Sequence, residues 1–247
     1  MAERLRLDQL LVQRGLAETR ARARDAILRG TVRVAGAPAD KPAQRVPLDA
    51  EIAFDDPAAG YVSRAALKLV GALDAFPISV QGRIALDLGA STGGFTQVLL
   101  EAGAAKVHAI DVGHDQLHPR IAAEPRVVRR DGVNARALTL ADLDGDRPGV
   151  VVSDMSFISL RLALPPALDL AAPGADGVFL VKPQFEAGRE NIGKKGLVDP
   201  ETGAGCARAI ADWLAARPGW QVRGLEPSPI TGSDGNAEWL LVARKEA

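Results

Sequence analysis

Residues 84–95 read IALDLGASTGGF, a short apolar run that leads into a glycine-rich turn and then into a helical pattern. The apolar part predicts a buried strand, and glycines at the turn let the backbone bend sharply and approach a ligand. Asp111 ends the next predicted strand, 22 positions after Gly89. A carboxylate at that place can accept both ribose hydroxyls of an adenosine-bearing cofactor. This part of the chain therefore predicts an α/β domain with a nucleoside cofactor.

Two classes of cofactor suit such a turn, and the spacing of the glycines separates them. Proteins that bind dinucleotides carry G-x-G-x-x-G, whereas this turn carries G-x-x-x-G-G and is preceded by Asp87. The Asp87 carboxylate would repel a pyrophosphate, but it suits the sulfonium and amino groups of S-adenosylmethionine. The sequence therefore favours S-adenosylmethionine, and an α/β domain with glycine turns but no cofactor is the remaining alternative.

Strands and helices alternate along most of the chain after residue 60. This order predicts a seven-stranded, mostly parallel sheet that is covered by helices on both faces. No helix is predicted between the last two strands, which indicates that the final strand is antiparallel. The predicted strands are 83–88, 106–111, 126–130, 149–153, 177–182, 220–226 and 237–243, and the predicted helices are 63–74, 94–102, 114–123, 159–171 and 203–216.

The composition is that of a globular protein, with 47% hydrophobic and 25% charged residues. No apolar run reaches the ~20 residues of a membrane helix, and the first residues lack the apolar segment of a signal peptide. Cys206 is the single cysteine and the chain has three histidines, so neither a disulfide framework nor a Cys/His zinc site is expected. We therefore expect a cytoplasmic protein without a metal, and the sequence leaves the oligomeric state open.

The beginning of the chain is basic and the rest is mildly acidic. Residues 1–50 carry ten Lys and Arg against six Asp and Glu, whereas the other 197 residues carry 20 against 25. Arg20 and Arg24 share one face of a predicted helix, from which guanidinium groups can bind successive phosphates. A solvated, arginine-rich helix is the alternative. The predicted elements are helices 7–14 and 20–29, a strand 31–34, and a loop 37–60 that separates this head from the body.

The head carries a recognisable pattern, Thr19-Arg20-x-x-Ala23-Arg24-x-x-Ile27-x-x-Gly30-x-Val32-x-Val34-x-Gly36. This pattern resembles the small RNA-binding domain named after ribosomal small-subunit protein S-four. The resemblance covers about residues 4–50 and implies an N-terminal α+β domain that binds structured RNA. The RNA contacts that it implies are Arg4, Arg6, Arg20, Arg22 and Arg24.

Four charged residues stand in apolar surroundings in the body. Asp154 and Lys182 each end an apolar strand, Lys68 lies in an apolar helix, and Glu238 opens the last strand. Ligands of open α/β sheets bind beyond the carboxyl ends of the strands. That rule places Asp154 and Lys182 near the glycine turn, and Glu238 joins them if the last strand is antiparallel. Each residue alone admits a structural role, as a snorkelling lysine, a helix cap or an ion pair, but together they favour a functional site.

These residues carry a second resemblance. The glycine turn resembles the first motif of Rossmann-like methyltransferases, and Lys68, Asp154, Lys182 and Glu238 resemble the Lys-Asp-Lys-Glu tetrad of FtsJ-type ribose 2′-O-methyltransferases. With the S-four-type head, the whole chain resembles the TlyA family of rRNA 2′-O-methyltransferases, some of which are called hemolysins. The resemblance implies S-adenosylmethionine binding by Asp87, Gly89, Ser91, Gly93, Gly94, Phe95, Asp111, Asp131 and Asp154.

The resemblance also implies roles for the tetrad and for the parts of the chain. Lys182 would orient the 2′-oxygen and accept its proton or, if it stays protonated, stabilise the negative charge that develops on that oxygen. The implied parts are an RNA-binding domain 1–58, a linker 59–64 and a methyltransferase domain 65–247. The loop 186–196 suits a mobile lid over RNA as well as it suits an ordinary surface loop.

The implied activity is methylation of a ribose, on a cytidine, in ribosomal RNA. Because the chain ends four residues after Ala243, it is similar to the shorter subtype, and this favours large-subunit RNA. One alternative is an RNA-binding or ribosome-assembly factor with an inactive methyltransferase body, against which the intact tetrad argues. Another is a membrane-lytic hemolysin, which would need an exposed apolar segment or a strongly amphipathic helix.

Overall fold

The computed structural model of the chain describes residues 3–247. These residues form two compact units that divide between Gly60 and Tyr61. We call residues 3–60 the N-terminal unit and residues 61–247 the C-terminal unit. The division falls inside the predicted linker 59–64, and each unit has a hydrophobic core of its own.

The N-terminal unit packs two helices against short strands. The side chains of Leu7, Leu11 and Ile27 are fully buried between them. The second helix begins where its sequence predicts, because the Thr19 side chain accepts a hydrogen bond from the N–H of Arg22. The elements are β1 (Arg4–Arg6), α1 (Leu7–Gln13), α2 (Arg20–Leu28), β2 (Val32–Val34), β3 (Ala37–Pro38), β4 (Arg45–Pro47) and β5 (Ile52–Phe54).

The prediction of a loop over 37–60 is wrong for three short segments. Strand β4 pairs antiparallel with β1, which the sequence also did not predict, and β3 and β5 flank β2. Each of these strands has two or three residues, whereas alternation becomes visible only over four to eight residues. Proline at a strand end is tolerated because no ladder hydrogen bond is needed there, so Pro38 and Pro47 did not exclude pairing.

The C-terminal unit contains one seven-stranded sheet with the strand order β11-β12-β10-β9-β6-β7-β8. Its elements are α3 (Ala66–Ala75), β6 (Ile84–Leu88), α4 (Gly94–Glu101), β7 (Lys106–Ile110), α5 (Pro119–Ala122), β8 (Val127–Arg130), β9 (Val150–Ser153), α6 (Leu160–Ala163), α7 (Pro165–Leu170), β10 (Asp176–Val181), α8 (Pro200–Ala215), β11 (Trp220–Pro227) and β12 (Trp239–Lys245). Strand β12 is antiparallel to β10 and β11, and the remaining neighbours pair in parallel. The predicted mostly parallel sheet with an antiparallel last strand is confirmed.

The sheet carries a core on each face, as an α/β sheet must when helices cover both sides. On one face, Leu86 and Leu88 of β6 pack with Leu168 of α7 and with residues of α8. On the other face, Ala85 packs with residues of α3 and α4, among them Leu69. Strand β6 is buried almost throughout, which explains why its sequence reads as a continuous apolar run rather than an alternation.

Four helices differ from their predicted bounds by three residues or more. The predicted helix 63–74 begins only at Ala66, and for the other three the cause is local. The predicted helix 159–171 is divided into α6 and α7, because Pro165 cannot donate a backbone hydrogen bond to the preceding turn. The predicted helix 114–123 is limited to α5, which starts at Pro119. Helix α8 begins at Pro200, where the Asp199 carboxylate accepts from two backbone N–H groups. Within residues 3–247, no helix combines the length and apolarity that crossing a membrane requires.

Candidate active site

The site lies at the carboxyl edge of the sheet in the C-terminal unit. Strands β6, β7, β9 and β10 all end at this edge. Strand β12 begins there because it is antiparallel, with Trp239 paired to Val181 at the end of β10. The sheet therefore brings Asp154 and Lys182, which follow β9 and β10, to the same edge as Glu238, which precedes β12.

Four side chains form an alternating chain of charges at this edge, which we call the charge cluster: Lys68, Asp154, Lys182 and Glu238. The Nζ of Lys68 lies 2.7 Å from Glu238 Oε2 and 3.5 Å from Asp154 Oδ2. The Nζ of Lys182 lies 2.7 Å from Asp154 Oδ1. Lys68, Lys182 and Glu238 are buried, so water screens these ion pairs weakly. The structure brings together all four residues that the sequence selected.

Burial and charge act in opposite directions on Glu238. Burial raises the pKa of the Glu238 carboxyl above its ordinary value, and the nearby Lys68 ammonium opposes that rise. Lys182 has a further partner, since its Nζ donates a hydrogen bond of 2.8 Å to the Oγ of Ser156. The two lysines are thus held in place by carboxylates and a hydroxyl rather than by apolar packing alone.

A cavity of about 640 Å³ opens above the charge cluster, and we call it the first cavity. All four members of the cluster contribute to its lining, together with the glycine turn and the residues Ser63–Ala65. At its mouth, Phe157 exposes 91% of its surface, and the ring of Phe185 lies 5.3 Å from that of Phe157. Phe157 also has a φ of +67°, a conformation that non-glycine residues seldom adopt.

A second cavity of about 530 Å³ lies beside the first. Five residues line both cavities: Gly89, Ser91, Asp154, Ser156 and Phe157. The rest of the second cavity combines the Asp111 carboxylate with apolar side chains, among them Val112, Val133 and Ile158, and with the polar residues Gln116, Asn134 and Arg136. A group bound in the second cavity therefore adjoins the first cavity at the glycine turn and at Asp154.

The glycine turn is shaped mainly by contacts within the protein. A Cβ on Gly89, whose φ is +78°, would lie 2.9 Å from Met155 Cγ, and one on Gly93, whose φ is +97°, would lie 2.8 Å from Leu117 Cδ1. Gly89, Ser91, Gly94 and Phe95 line a cavity, whereas Gly93 lines neither. Gly93 is thus required for close packing between the turn and the segment before α5.

Asp111 lines the second cavity and also ties the turn to the end of β7. Its Oδ2 accepts a hydrogen bond of 2.8 Å from the N–H of Ser91, and its Oδ1 accepts one of 2.7 Å from the N–H of Gly113. Each carboxylate oxygen can accept a further hydrogen bond. The predicted contact of Asp111 with ribose hydroxyls stays a prediction.

Two acidic residues of the predicted cofactor site line neither cavity. Asp87 is fully buried, its Oδ2 accepts a hydrogen bond of 2.6 Å from Thr96 Oγ1, and burial raises the pKa of its carboxyl to about 7. Asp131 is bound by the Arg129 guanidinium and by the N–H of Asp115, and the Arg129 hydrogen bond holds the pKa of Asp131 far below its usual range. In this structure both carboxylates accept hydrogen bonds from groups of the protein itself. Their predicted contacts with the cofactor stay predictions.

The arginines of the N-terminal unit have different surroundings. Arg4 donates to the carbonyl of Arg45, and Arg22 donates to the carbonyl of Ala58. Arg24 is exposed, and among residues 3–247 its side chain has no hydrogen bond or ion pair. Arg6 and Arg20 share one buried partner, Asp8. Their predicted contacts with RNA stay predictions.

Sequence reasoning missed the polar residues that support the site. Ser156 follows Asp154 by two positions, and its proximity to the apolar strand β9 was the available signal. Asn236, which is 2% exposed, donates to the carbonyl of Gly196 and accepts from the N–H of Val198, each at 2.9 Å. It thereby fixes the 193–198 loop close to Glu238. Among residues 3–247, no group of three or more His, Cys, Asp or Glu side chains could hold a metal ion.

Comparison with known proteins follows the division into two units. The model of the family "FtsJ-like methyltransferase" matches residues 61–245, which is most of the chain. This chain belongs to that family. A model of the S4 domain matches residues 5–52, so this methyltransferase carries an S4 domain before its catalytic fold. The resemblances of the chain to the FtsJ-type methyltransferases and to the S-four-type domain are confirmed.

Relatives of this FtsJ-like methyltransferase match all or most of its length. It is 48% identical over 248 residues to the 16S/23S rRNA (cytidine-2′-O)-methyltransferase TlyA of Mycobacterium tuberculosis, covering 100% of this chain and 92% of the relative. It is 36% identical over 182 residues to the 23S rRNA (cytidine-2′-O)-methyltransferase TlyA of Campylobacter jejuni, covering 73% of this chain and 69% of the relative. A solved structure from Streptococcus thermophilus, described as a hemolysin, is 38% identical with a TM-score of 0.76, covering 100% of this chain and 90% of that one.

Proposed function

We propose that this protein methylates the 2′-oxygen of a cytidine ribose in ribosomal RNA with S-adenosylmethionine as the methyl donor. The observation that carries the proposal is the buried charge cluster at the carboxyl edge of the sheet, which lines the first of two adjoining cavities. The names of the two TlyA relatives both specify the 2′-oxygen of a cytidine as the methylated atom and 23S rRNA as a substrate. A cytidine of large-subunit RNA is therefore the substrate we propose.

The second cavity has the chemistry that S-adenosylmethionine requires. The Asp111 carboxylate can accept the two ribose hydroxyls, and the apolar side chains of Val112, Val133 and Ile158 suit the faces of an adenine ring. Gly89 and Asp154 join this cavity to the first one. When bound, the cofactor supplies an electrophilic methyl group on a sulfonium, which becomes a neutral thioether after transfer.

Lys182 is our candidate for the group that acts on the 2′-hydroxyl. A ribose hydroxyl is a weak nucleophile until its proton is drawn away. Lys182 lines the first cavity and its Nζ is held by Asp154 and Ser156, so it can orient the oxygen of a hydroxyl bound there. The oxygen forms its new bond to carbon as its proton leaves. Lys182 either takes that proton as a neutral amine or, as an ammonium, stabilises the charge that develops on the oxygen while solvent water takes the proton.

The other three members of the cluster hold Lys182 and balance its charge. Asp154 lies between both lysines, and Glu238 holds the second lysine, Lys68, at 2.7 Å. Two carboxylates and two ammonium groups sum to zero charge, which lowers the cost of burying all four. We propose that this network keeps Lys182 in one position while the substrate enters and leaves.

Aromatic side chains at the mouth of the first cavity suit a nucleotide. Phe157 exposes almost its whole ring, and Phe185 lies beside it. A base that leaves its stack to place its ribose in the cavity can regain stacking energy on such rings. The neighbouring loop 186–196 carries Arg189, Lys194 and Lys195, all exposed, and we propose that it lies over the RNA when the substrate is bound.

The S4 domain supplies the remaining affinity for RNA in this proposal. Arg4, Arg6, Arg20, Arg22 and Arg24 are the proposed phosphate contacts, within an RNA-binding domain 1–58. The residues 59–64 are the proposed linker, and 65–247 the proposed methyltransferase domain. Contacts of arginine with phosphate add affinity without reading the sequence, so the position of the methyl group depends on the methyltransferase site as well.

Methyl transfer to ribosomal subunits tests the proposal. Purified protein is incubated with radiolabelled S-adenosylmethionine and with small or large subunits that lack ribose methylation, and the labelled nucleotide is mapped. Lys182→Ala is compared with Lys106→Ala, which removes a lysine that lines neither cavity and pairs with Asp146. We expect label in large-subunit cytidine, a loss of about a hundredfold or more in Lys182→Ala, and no loss in Lys106→Ala.

The outcomes separate the proposal from its alternatives. Label that appears in a base, or equally in both lysine variants, would contradict ribose methylation at this site. A folded protein that binds S-adenosylmethionine and both subunits but transfers no methyl group would be an RNA-binding factor. Label in small-subunit RNA alone would correct the choice of subunit and leave the chemistry in place.

A further inference from the structure

A buried carboxylate joins two of the arginines in the N-terminal unit. The Asp8 carboxyl accepts two hydrogen bonds from Arg6, from Nε at 3.0 Å and from one terminal nitrogen at 2.8 Å. A terminal nitrogen of Arg20 donates a third, at 3.1 Å. The Asp8 side chain is only 5% exposed, and the hydrogen bonds from Arg6 contribute most to lowering its pKa to about 2. Asp8 is therefore a fixed anion at physiological pH.

The two arginines that Asp8 holds remain open to solvent. The Arg6 side chain is 38% exposed and that of Arg20 is 56% exposed. Arg20 uses one terminal nitrogen for Asp8, which leaves its other N–H groups for a ligand. Arg6 ends β1 and Arg20 begins α2, so the shared carboxylate links guanidinium groups from two separate elements.

We propose that Asp8 is a positioning residue for RNA binding, one that holds the guanidinium groups of Arg6 and Arg20 in a fixed pair for the phosphates of the RNA backbone. The inference rests on the proposed function, because it needs the S4 domain to bind ribosomal RNA. An arginine side chain loses rotamer freedom when a phosphate immobilises it, and that loss weakens binding. Two guanidinium groups that are ordered before the RNA binds lose less rotamer freedom on binding, so RNA affinity is higher.

Net charge and positioning predict opposite effects for the removal of Asp8. Asp8→Asn removes a negative charge beside a surface that binds a polyanion, so charge alone predicts tighter binding. If Asp8 positions the arginines, binding becomes weaker although the protein becomes more basic. Asp25→Asn is the matched control, since Asp25 lies on α2 and pairs with Arg29 at 2.9 Å, and Arg29 is not a proposed RNA contact.

The experiment compares the full-length wild-type protein, Asp8→Asn and Asp25→Asn for binding to large ribosomal subunits at a series of salt concentrations. For Asp8→Asn we expect affinity about tenfold lower and a plot of log K against log salt that is shallower by about one. Asp25→Asn should bind as tightly as the wild-type protein or more tightly. Equal or tighter binding by Asp8→Asn would overturn the inference.

A second comparison separates positioning from general damage to the fold. If Asp8 acts through the two arginines, Asp8→Asn causes no further loss of RNA affinity in an Arg6→Ala/Arg20→Ala background, where a purely structural defect would persist. Should Asp8→Asn fail to fold, nuclear magnetic relaxation of the arginine Nε–H groups in the unaltered protein decides. Arg6 and Arg20 are expected to be more rigid than the exposed Arg24, and equal mobility would overturn the inference.

The same measurements separate the inference from the proposed function. Binding of S-adenosylmethionine, measured by calorimetry, should be unchanged in all variants, because none alters the C-terminal unit. A wild-type protein that does not bind either subunit would overturn the proposed function and the inference together. A wild-type protein that binds and methylates, with Asp8→Asn indistinguishable from Asp25→Asn, would overturn the inference alone.

Discussion

Replacing Lys68 by methionine tests whether the charge cluster is an electrostatic unit. In the wild-type protein, Lys68 Nζ lies 2.7 Å from Glu238 Oε2, and the two side chains are 7% and 2% exposed. At an effective dielectric constant of about 20, charges at that separation attract by about 6 kcal/mol. Without Lys68, the Glu238 carboxylate would be buried next to Asp154 with less compensation, so it takes up a proton instead.

The cost of that proton sets the size of the effect. An unperturbed glutamate carboxyl has a pKa of 4.5. Relative to that state, protonating Glu238 at pH 7 costs about 2.5 × 1.4, or roughly 3.5 kcal/mol, and at pH 5 it costs less than about 1 kcal/mol. The cost at pH 7 is smaller than the lost attraction of about 6 kcal/mol, which is why protonation prevails. We therefore expect Lys68→Met to lower the free energy of unfolding by up to about 3.5 kcal/mol at pH 7.

The direction of the pH dependence follows from the raised pKa. A carboxyl group whose pKa is higher in the folded than in the unfolded state stabilises the fold below its unfolded pKa, and that contribution is lost as pH rises. The deficit of Lys68→Met should thus grow between pH 5 and pH 7. Urea denaturation of the wild-type and variant proteins across this range measures it, and equal deficits at both pH values would refute the reasoning.

A double variant separates stability from activity. Lys68→Met/Glu238→Gln removes both charges, so we expect it to regain most of the unfolding free energy at pH 7 and to lose the added pH dependence. Methyl transfer should remain at least about a hundredfold below wild type, because Asp154 loses the Lys68 ammonium that helps to hold it beside Lys182. A double variant that methylates RNA at the wild-type rate would show that the Lys68–Glu238 pair is only structural.

Three further predictions concern single residues. The raised pKa of Asp87, about 7, makes the wild-type protein lose stability as pH rises. Asp87→Asn should therefore reduce the change in unfolding free energy between pH 4 and pH 8 by up to about 4 kcal/mol, as measured by urea denaturation. Asp111→Ala should weaken S-adenosylmethionine binding at least about tenfold in calorimetry and leave subunit binding unchanged, and loss of both would argue for a distorted fold. Phe157→Ala should raise the KM for ribosomal subunits about tenfold, with S-adenosylmethionine affinity retained, and an unchanged KM would exclude base stacking on this ring.

Much of the catalytic fold could be predicted from the sequence because its signals are local. The apolar run 84–88, the glycines after it and the alternation of helices with strands each lie within a few consecutive residues. Asp154 and Lys182 could be selected because parallel strands end at one edge, so any polar residue after an apolar strand lies there. Glu238 required one more inference, that the last strand is antiparallel, and the pairing of β12 with β10 confirms it.

In the N-terminal unit, local sequence signals are too weak to predict every strand and contact. Strands of two or three residues, such as β3 and β4, carry no readable alternation, and only their partners β2 and β1 establish them as strands. The arginine pattern predicted an RNA-binding head, but it did not show that Arg6 and Arg20 share Asp8. Asp8 lies two positions after Arg6 and between Leu7 and Gln9, where it resembles any acidic residue in the first turn of a helix.

By itself, the sequence of this protein determined the order of most of its elements, the class of its fold and the candidate residues for its chemistry, because backbone preferences and burial patterns act over neighbouring residues. Only the tertiary structure decided how those residues are used. Lys68 and Asp154, 86 positions apart, became an ion pair, and Asp87 was buried against Thr96 instead of facing a cavity. Burial and the distance between charges set such roles, and both quantities depend on chain segments that are far apart in the sequence.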